Sequence, residues 1–182
     1  YIDSEQWWKV GDIVSTIKVD TITDTSGNKS PHIKGNVIQV KTSILTTQFT
    51  FTTTSFADIT GLTVNITPSS SSNKILVTAH LGAVSGGGAH AQMFGFARDS
   101  TVIGQSTASA TTLAAFGQYH GDNNQHFTVA SFQMLDSPST TSSVTYKVQG
   151  KTSGDTTTIN RWASNDSQFG FSSNITVMEI AG

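Results

Sequence analysis

The stretch that most restricts the fold runs from Leu62 to Val84, LTVNITPSSSSNKILVTAHLGAV. Leu62, Val64 and Ile66 alternate with Thr63, Asn65 and Thr67. Pro68, four serines and Asn73 interrupt the run. Ile75, Val77, Ala79, Leu81 and Ala83 then fall on one face of a second run. Alternation with period two, broken by Pro, Ser and Asn, is the sequence form of strand, turn and strand with one buried face. A helix would scatter these apolar residues around its axis.

Similar runs recur along the chain. Val37 to Val40 begins the first strand, and Gln48 to Thr53 places Phe49 and Phe51 on one face. Ser85 to Gly88 reads as a flexible loop. His90 to Arg98 carries Phe94 and Phe96 in alternation, and Asp99-Ser100 turns it back into Thr101 to Ile103 as a hairpin. A strand is expected from Thr111 to Gly117. His126 to Leu135 has large apolar groups on both faces, which predicts a central strand covered on both sides. Val144 to Val148, Thr156 to Trp162 and Asn174 to Ile180 complete the series. About nine or ten short strands at this spacing, with no long amphipathic helix, predict an all-β, antiparallel β-sandwich of jelly-roll type.

Composition narrows the function classes. The chain has 182 residues, a net charge of −2 and only 12% charged residues, so Ser and Thr supply most of its polarity. This length fits one domain with a short extension. No basic field exists for nucleic acid, and no apolar run reaches the length of a membrane helix. With no cysteine, disulfide scaffolds and thiolate metal sites are excluded. No signal peptide is read at the start. The chain begins at Tyr1 rather than Met, which points to processing or to a piece of something longer.

Residues 1–35 read differently from the rest, as an extended N-terminal docking arm, with residues 36–182 as the folded domain. Trp7 and Trp8 are adjacent, and Ile13 and Ile17 follow among polar residues. Adjacent tryptophans on an extended chain point to opposite faces, so one needs cover from the domain's own edge or from a neighbouring subunit or particle.

Several segments together resemble a known family. GNVIQV (Gly35 to Val40), TSFADITGLTVNITPSSSSNKILVTAHL (Thr54 to Leu81), ARDSTVIG (Ala97 to Gly104), FQMLDSPSTTSSVTYKVQ (Phe132 to Gln149) and SSNITVMEIAG (Ser172 to Gly182) occur in that order. KVDTITDTSGN (Lys18 to Asn28) precedes them. The chain resembles the carboxyl-terminal domain of tail-fibre-like virion proteins of marine and cyanobacterial phages. That resemblance implies a jelly roll similar to the C1q and tumour-necrosis-factor domain, a homotrimer, and a place on the virion, at a tail or the particle surface. Here the lead is short and carries no coiled-coil or collagen-like shaft, so a long fibre is not expected from this chain.

The sequence carries few motifs for chemistry. Gly150-Lys151-Thr152-Ser153 resembles the end of a phosphate loop, but Thr145 stands where that motif needs glycine, and a strand rather than a helix follows. Ser15 and Lys18 have the S-x-x-K spacing on an extended arm, where it means little. No G-x-S-x-G elbow is present. His120 and His126 flank a polar loop, and His80 and His90 flank the glycine loop, where a cross-strand pair is conceivable. No third strong ligand accompanies either pair. Asp20, Asp24 and Asn28 lack calcium-loop spacing. The carboxylates Asp122, Asp136, Asp155, Asp166 and Glu179 are scattered. The expectation is a non-enzymatic protein with no cofactor and no metal.

Binding is the better prospect. Tyr119, His120, Asp122, Asn123, Asn124, Arg161 and Trp162, with Asn165 and Asp166, place aromatics beside amides and carboxylates in loops. Rings pack on the apolar face of a sugar, while amides pair with its hydroxyls. Turns recruit the same Asn, Asp and Gly for backbone reasons alone. Two roles follow: host-surface attachment, with these residues on a cell-surface glycan or protein, and capsid decoration, with residues 1–35 docked on other virion proteins.

Overall fold

A computed structural model describes residues 34–86, 88–107, 116–120, 127–161 and 170–182, with His120 described by its backbone. Trp7, Trp8, Ile13 and Ile17 of the expected arm lie outside these residues.

Eleven strands occur among the described residues: β1 (Val37–Leu45), β2 (Phe49–Phe51), β3 (Ala57–Ile66), β4 (Lys74–Gly86), β5 (His90–Arg98), β6 (Thr101–Ile103), β7 (Phe116–His120), β8 (Phe127–Asp136), β9 (Val144–Thr152), β10 (Thr157–Ile159) and β11 (Ser173–Ile180). They form two antiparallel sheets. In sheet I, β11 lies between β1 and β4, β8 pairs with the other side of β4, and β10 joins the far end of β4 to β2. In sheet II, β9 lies between β3 and β5, and both β6 and β7 pair with β5. The chain crosses repeatedly from one sheet to the other, β3 to β4, β4 to β5 and β8 to β9, which is the jelly-roll arrangement.

Alternation explains the core. Leu62, Val64 and Ile66 from β3 face Ile75, Val77, Ala79 and Leu81 from β4, and all are buried. Ile175 and Val177, with Val144, Tyr146 and Val148, continue the same layer. Each fully buried aliphatic side chain contributes about 1.5–3 kcal/mol relative to exposure. Phenylalanines fill the space between the sheets: Phe96 and Phe132 have ring centroids 4.7 Å apart, and Phe116 stacks on Phe132 at 6.0 Å.

Three expectations need correction. His126 to Leu135 is not a central strand covered on both sides; β8 starts at Phe127, pairs only with β4 among the described residues, and leaves Val129 and Leu135 exposed. Alternation shows that a face is apolar, not what covers it. Ser85 and Gly86 are not loop but the end of β4, paired to Thr158 and Thr157. The Thr156 to Trp162 strand is shorter, because Asn160 takes a left-handed conformation (φ 67°) directly after β10. Of the strand expected at Thr111 to Gly117, the described part is the start of β7, and Thr111 to Ala115 lie outside the described residues.

Polar side chains close the sandwich at the end where the serine turn lies. Glu179 occupies an inward position of β11 and is fully buried. Its carboxylate accepts from the Ser69 backbone N–H (2.6 Å) and hydroxyl (2.8 Å), from Asn73 Nδ2 (2.6 Å) and from Gln39 Nε2 (2.5 Å). These bonds join β1, the serine turn and β11. Burial pushes the Glu179 carboxyl up, but the donors from Gln39, Asn73 and Ser69 outweigh it and hold the group below its ordinary range. Nearby, Arg98 of sheet II grips Asp136 of sheet I through both carboxylate oxygens, at 3.0 and 2.8 Å. The buried Tyr146 hydroxyl donates to the same carboxylate at 2.6 Å. Burial, then the bond and charge of Asp136, push the Tyr146 phenol well above the ordinary tyrosine range, so it stays a neutral donor.

A glycine marks where backbone meets backbone. A Cβ on Gly82 would lie 2.2 Å from the Ser172 carbonyl oxygen, so residues 171–172 can cross β4 only where no side chain stands. The crossing coincides with the register shift between Leu81 and Val84 in the β4–β8 ladder.

The Glu179 site predicts acid sensitivity. Because its pKa is lowered in the fold, its stabilisation is fully present above the ordinary glutamate pKa and is lost as pH falls through the lowered value. Glu179→Gln, which turns amide hydrogens toward existing donors, is expected to cost about 3 kcal/mol at neutral pH. It should also flatten the dependence of Tm on pH in the acid range. An unchanged acid limb in the variant would contradict the assignment.

Candidate binding surfaces

Register assigns residues to faces. On sheet I, Val40, Met178, Leu76 and Leu135 stand directly opposite one another on β1, β11, β4 and β8. Cross-strand partners share a face, and this row points away from the core. Val40 is 54% and Leu135 53% exposed, while Met178 and Leu76 are half-buried. A second outward row holds Thr42, Thr176, Thr78 and Gln133, with the Thr42 and Thr176 hydroxyls 3.0 Å apart. A third holds Ile44, Asn174, His80 and Ser131. Val37 and Ile180 border the apolar row, with Lys74 beyond them as the charged side chain of these rows. The outer face of sheet I is thus a nearly uncharged surface crossed by an apolar stripe.

The outer face of sheet II differs. Asp58, Lys147 and Gln149 form a polar cluster there, with Lys147 Nζ 2.8 Å and Gln149 Nε2 2.7 Å from the Asp58 carboxylate. Burial tends to raise the Asp58 pKa, but the bonds from Lys147 and Gln149 and the lysine charge lower it overall. Lys151 lies over the Phe56 ring, 4.9 Å from its centroid.

The residues expected to bind a glycan are only partly described. Tyr119 lies on β7 opposite Ala91 and is 69% exposed, so its ring is offered to solvent beside Gly117. His120 ends β7 opposite His90. Arg161 follows β10 in sheet I, and its guanidinium donates to Gln48 Oε1 at 2.9 Å. Tyr119 and Arg161 therefore belong to opposite sheets. Asp122, Asn123, Asn124, Trp162, Asn165 and Asp166 lie outside the described residues, as does His126. His80 and His90 do not pair: His80 faces outward on sheet I, and His90 is buried from sheet II. Among the described residues no group of three histidines and carboxylates is placed to hold a metal ion.

Arg161 is positioned by a residue the sequence did not single out. Asn160 is buried, and its Nδ2 donates to the Leu45 carbonyl at 2.8 Å and the Thr47 carbonyl at 3.1 Å. Its Oδ1 accepts from Ser173 Oγ at 2.5 Å. Its backbone N–H donates to Ala83 and its carbonyl accepts from Phe171 N–H. One side chain thereby ties the end of β1, the end of β10 and the start of β11. The positive φ is tolerated by Asn better than by most residues, and that preference was its only sequence signal.

A further polar group lies inside the sandwich at the end where Asn160 sits. His90 and Gln92, at inward positions of β5, are buried with Thr157, Thr152 and Ser85. The Gln92 amide nitrogen lies 3.1 Å from His90 Nε2, and Thr157 Oγ1 lies 3.5 Å from the same atom. A Cβ on Gly86 would lie 2.5 Å from Gln92 Nε2 and from His90 Cε1, so the imidazole packs against bare backbone.

No protein-family model and no curated protein sequence matches the chain. Its surfaces are therefore read from their own geometry. For the Arg161 segment, Asn160→Ala is expected to lower stability by about 3 kcal/mol, since it leaves buried carbonyls unpaired and puts alanine at positive φ. Asn160→Gly should lose less, because it relieves the backbone while losing the same bonds. Denaturant midpoints of the two variants measure the difference, and equal losses would mean the conformation is not strained.

Proposed function

We propose that this chain is a non-enzymatic phage virion protein: a homotrimeric jelly-roll module that serves host-surface attachment, in the manner of a tail-fibre tip. The observation that carries the reading is the outer face of sheet I. Four strands spaced about 4.8 Å apart, over three to four rows, give a face on the order of 400 Å². A stable interface needs roughly 800 Å² per partner. Two copies meeting face to face across a two-fold axis fall short of that. In a closed ring each copy buries this face against one neighbour and a second surface against the other, so about twice that area leaves water per copy. The resemblance of Gly35 to Val40, Thr54 to Leu81 and the later segments to phage tail-fibre-like domains favours three copies. Lys147, Lys151 and Asp58 on sheet II suit a surface left in water.

Attachment is assigned to the loop end of the sandwich. Tyr119 supplies an exposed ring of the kind that packs on sugars, and Arg161 supplies a fixed donor group. Residues 1–35, with Trp7 and Trp8, join the module to other virion proteins.

Light scattering on the full chain at micromolar concentration is expected to give about three times the 19.3 kDa chain mass, and a stable monomer would overturn the trimer. Leu76→Lys places a charge in the apolar row and is expected to dissociate the assembly while its β-sheet circular dichroism persists. For attachment, Tyr119→Ala should weaken adsorption to host cells roughly tenfold, the ~1.4 kcal/mol scale of one lost stacking contact. Gold labelling of particles locates the protein. Label on the tail supports attachment. Label spread over the capsid, lost when residues 1–20 are deleted while adsorption persists, would replace that reading with decoration.

A further inference from the structure

Tyr119 and Lys151 stand on the same face of sheet II, on opposite sides of β5. Tyr119 of β7 is the register partner of Ala91, and Lys151 of β9 is the partner of Met93. His90, Gln92 and Phe94 are buried at the inward positions of β5, so Ala91 and Met93 point outward, and their cross-strand partners share that face. Gly117, the other partner of Met93, adds no side chain there. Two strand spacings across and two residues along put the Cα atoms of Tyr119 and Lys151 about 12 Å apart. That span matches two linked sugar rings.

The outward lysines of β9 differ in their partners. Lys147 pairs with the Asp58 carboxylate at 2.8 Å, and Gln149 Nε2 holds the other oxygen of Asp58 at 2.7 Å. Lys151 has no carboxylate beside it among the described residues; its ammonium lies over the Phe56 ring, 4.9 Å from the centroid. A ring face holds a cation in place, but it leaves the positive charge uncancelled and leaves N–H donors open on the side away from the ring. The Tyr119 ring is 69% exposed. Ala91 and Gly117 keep the surface beside it low, so one ligand can reach both the ring and the ammonium.

We propose that Tyr119 and Lys151 form a binding site for an acidic sugar, a carboxylate-bearing glycan whose ring packs on Tyr119 and whose carboxylate pairs with Lys151. A sugar acid offers both halves of the match: a face of C–H groups for the aromatic ring and a charge at its edge for the ammonium. A neutral sugar engages only the ring. Phe56 is the positioning residue for Lys151, and Asp58, engaged by Lys147 and Gln149, does not compete with the ligand. The inference rests on the reading of Tyr119 as an attachment residue and names the ligand class of that site.

Shifts in 1H–15N spectra of the full chain, titrated with trigalacturonate and with sialyllactose, measure the binding. The methyl esters of both present the same sugars without the charge. At least one acid is expected to bind, with shifts at Ala91, Gly117, Tyr119 and Lys151. Removing the charge from either side, by the ester or by Lys151→Gln, should weaken binding about tenfold. The ester on the Lys151→Gln variant should lose no more than either change alone, because the two changes remove one contact. Tyr119→Ala should weaken acid and ester alike. Equal affinity of the native chain for acid and ester overturns the proposal, as does the absence of shifts with both acids at millimolar concentration. If an acid binds as described while Tyr119→Ala and Lys151→Gln leave adsorption to host cells unchanged, the site stands and the attachment reading falls. If Tyr119→Ala weakens adsorption while neither acid binds, the attachment reading stands and the acidic-sugar site falls.

Discussion

The ends of the sandwich are closed by buried polar side chains that bond to neutral partners, tying strand ends and the serine turn together beside the apolar core. Glu179 is the plainest case. A carboxylate inside a protein is costly unless its oxygens are filled. Here amides, a hydroxyl and a backbone N–H fill them, from two segments far from β11 in sequence, β1 and the serine turn. Along β4 in the other direction, Asn160 performs the same task for the ends of β1, β10 and β11. Between these closures the core is purely apolar and follows simple alternation. A chain with few charges can build such a fold only if amides and hydroxyls do what ion pairs do elsewhere, and the Arg98–Asp136 pair is a local exception, seated beside Tyr146.

Much of this was legible in the sequence, and the illegible part has a physical cause. In Leu62 to Ile66 and Ile75 to Ala83 the apolar residues on the alternating face (Leu62, Val64, Ile66, Ile75, Val77, Ala79, Leu81 and Ala83) are all buried, and Leu76 is the apolar residue that falls on the other face. Alternation has no term for which sheet a strand joins, so the same stretch reads equally as a hairpin, whereas β3 and β4 lie in different sheets. The error at β8 has the same origin: Val129 and Leu135 signal an apolar face, and only the register shows that face turned outward. Extending the Phe94 and Phe96 alternation backward would have placed Gln92 and His90 inside, and extending that of Ile175 and Val177 forward would have placed Glu179 inside. Polar residues at inward positions were the available sign of the buried networks. Asn160 is different, since its role rests on a backbone angle and on partners distant in sequence.

The outer faces divide the surface by chemistry. Sheet II shows charge and a cation over a ring, features at ease in water. Sheet I shows methyls and hydroxyls in straight rows, with each apolar side chain there giving up stabilisation that cover would recover. Both faces are built on the same alternation, so the inward half of each strand sets the fold while the outward half is free to set the company the molecule keeps.

The pairing of β1 with β11 has a mechanical side. Gly35 donates to the Ala181 carbonyl and Ala181 to the Asn36 carbonyl, so β1 enters the sheet beside the end of β11. From there it runs in continuous register from Gln39 to Leu45 toward the end where Asn160 sits. A pull applied at residue 34 and resisted at that far end acts along β1. It loads the rungs of the β1–β11 ladder together, in shear, so that many bonds must fail at once. A pull between residue 34 and residue 182 acts across the ladder and opens it rung by rung. The same strand pair is thus strong against tension along the sandwich and weak against peeling at its edge.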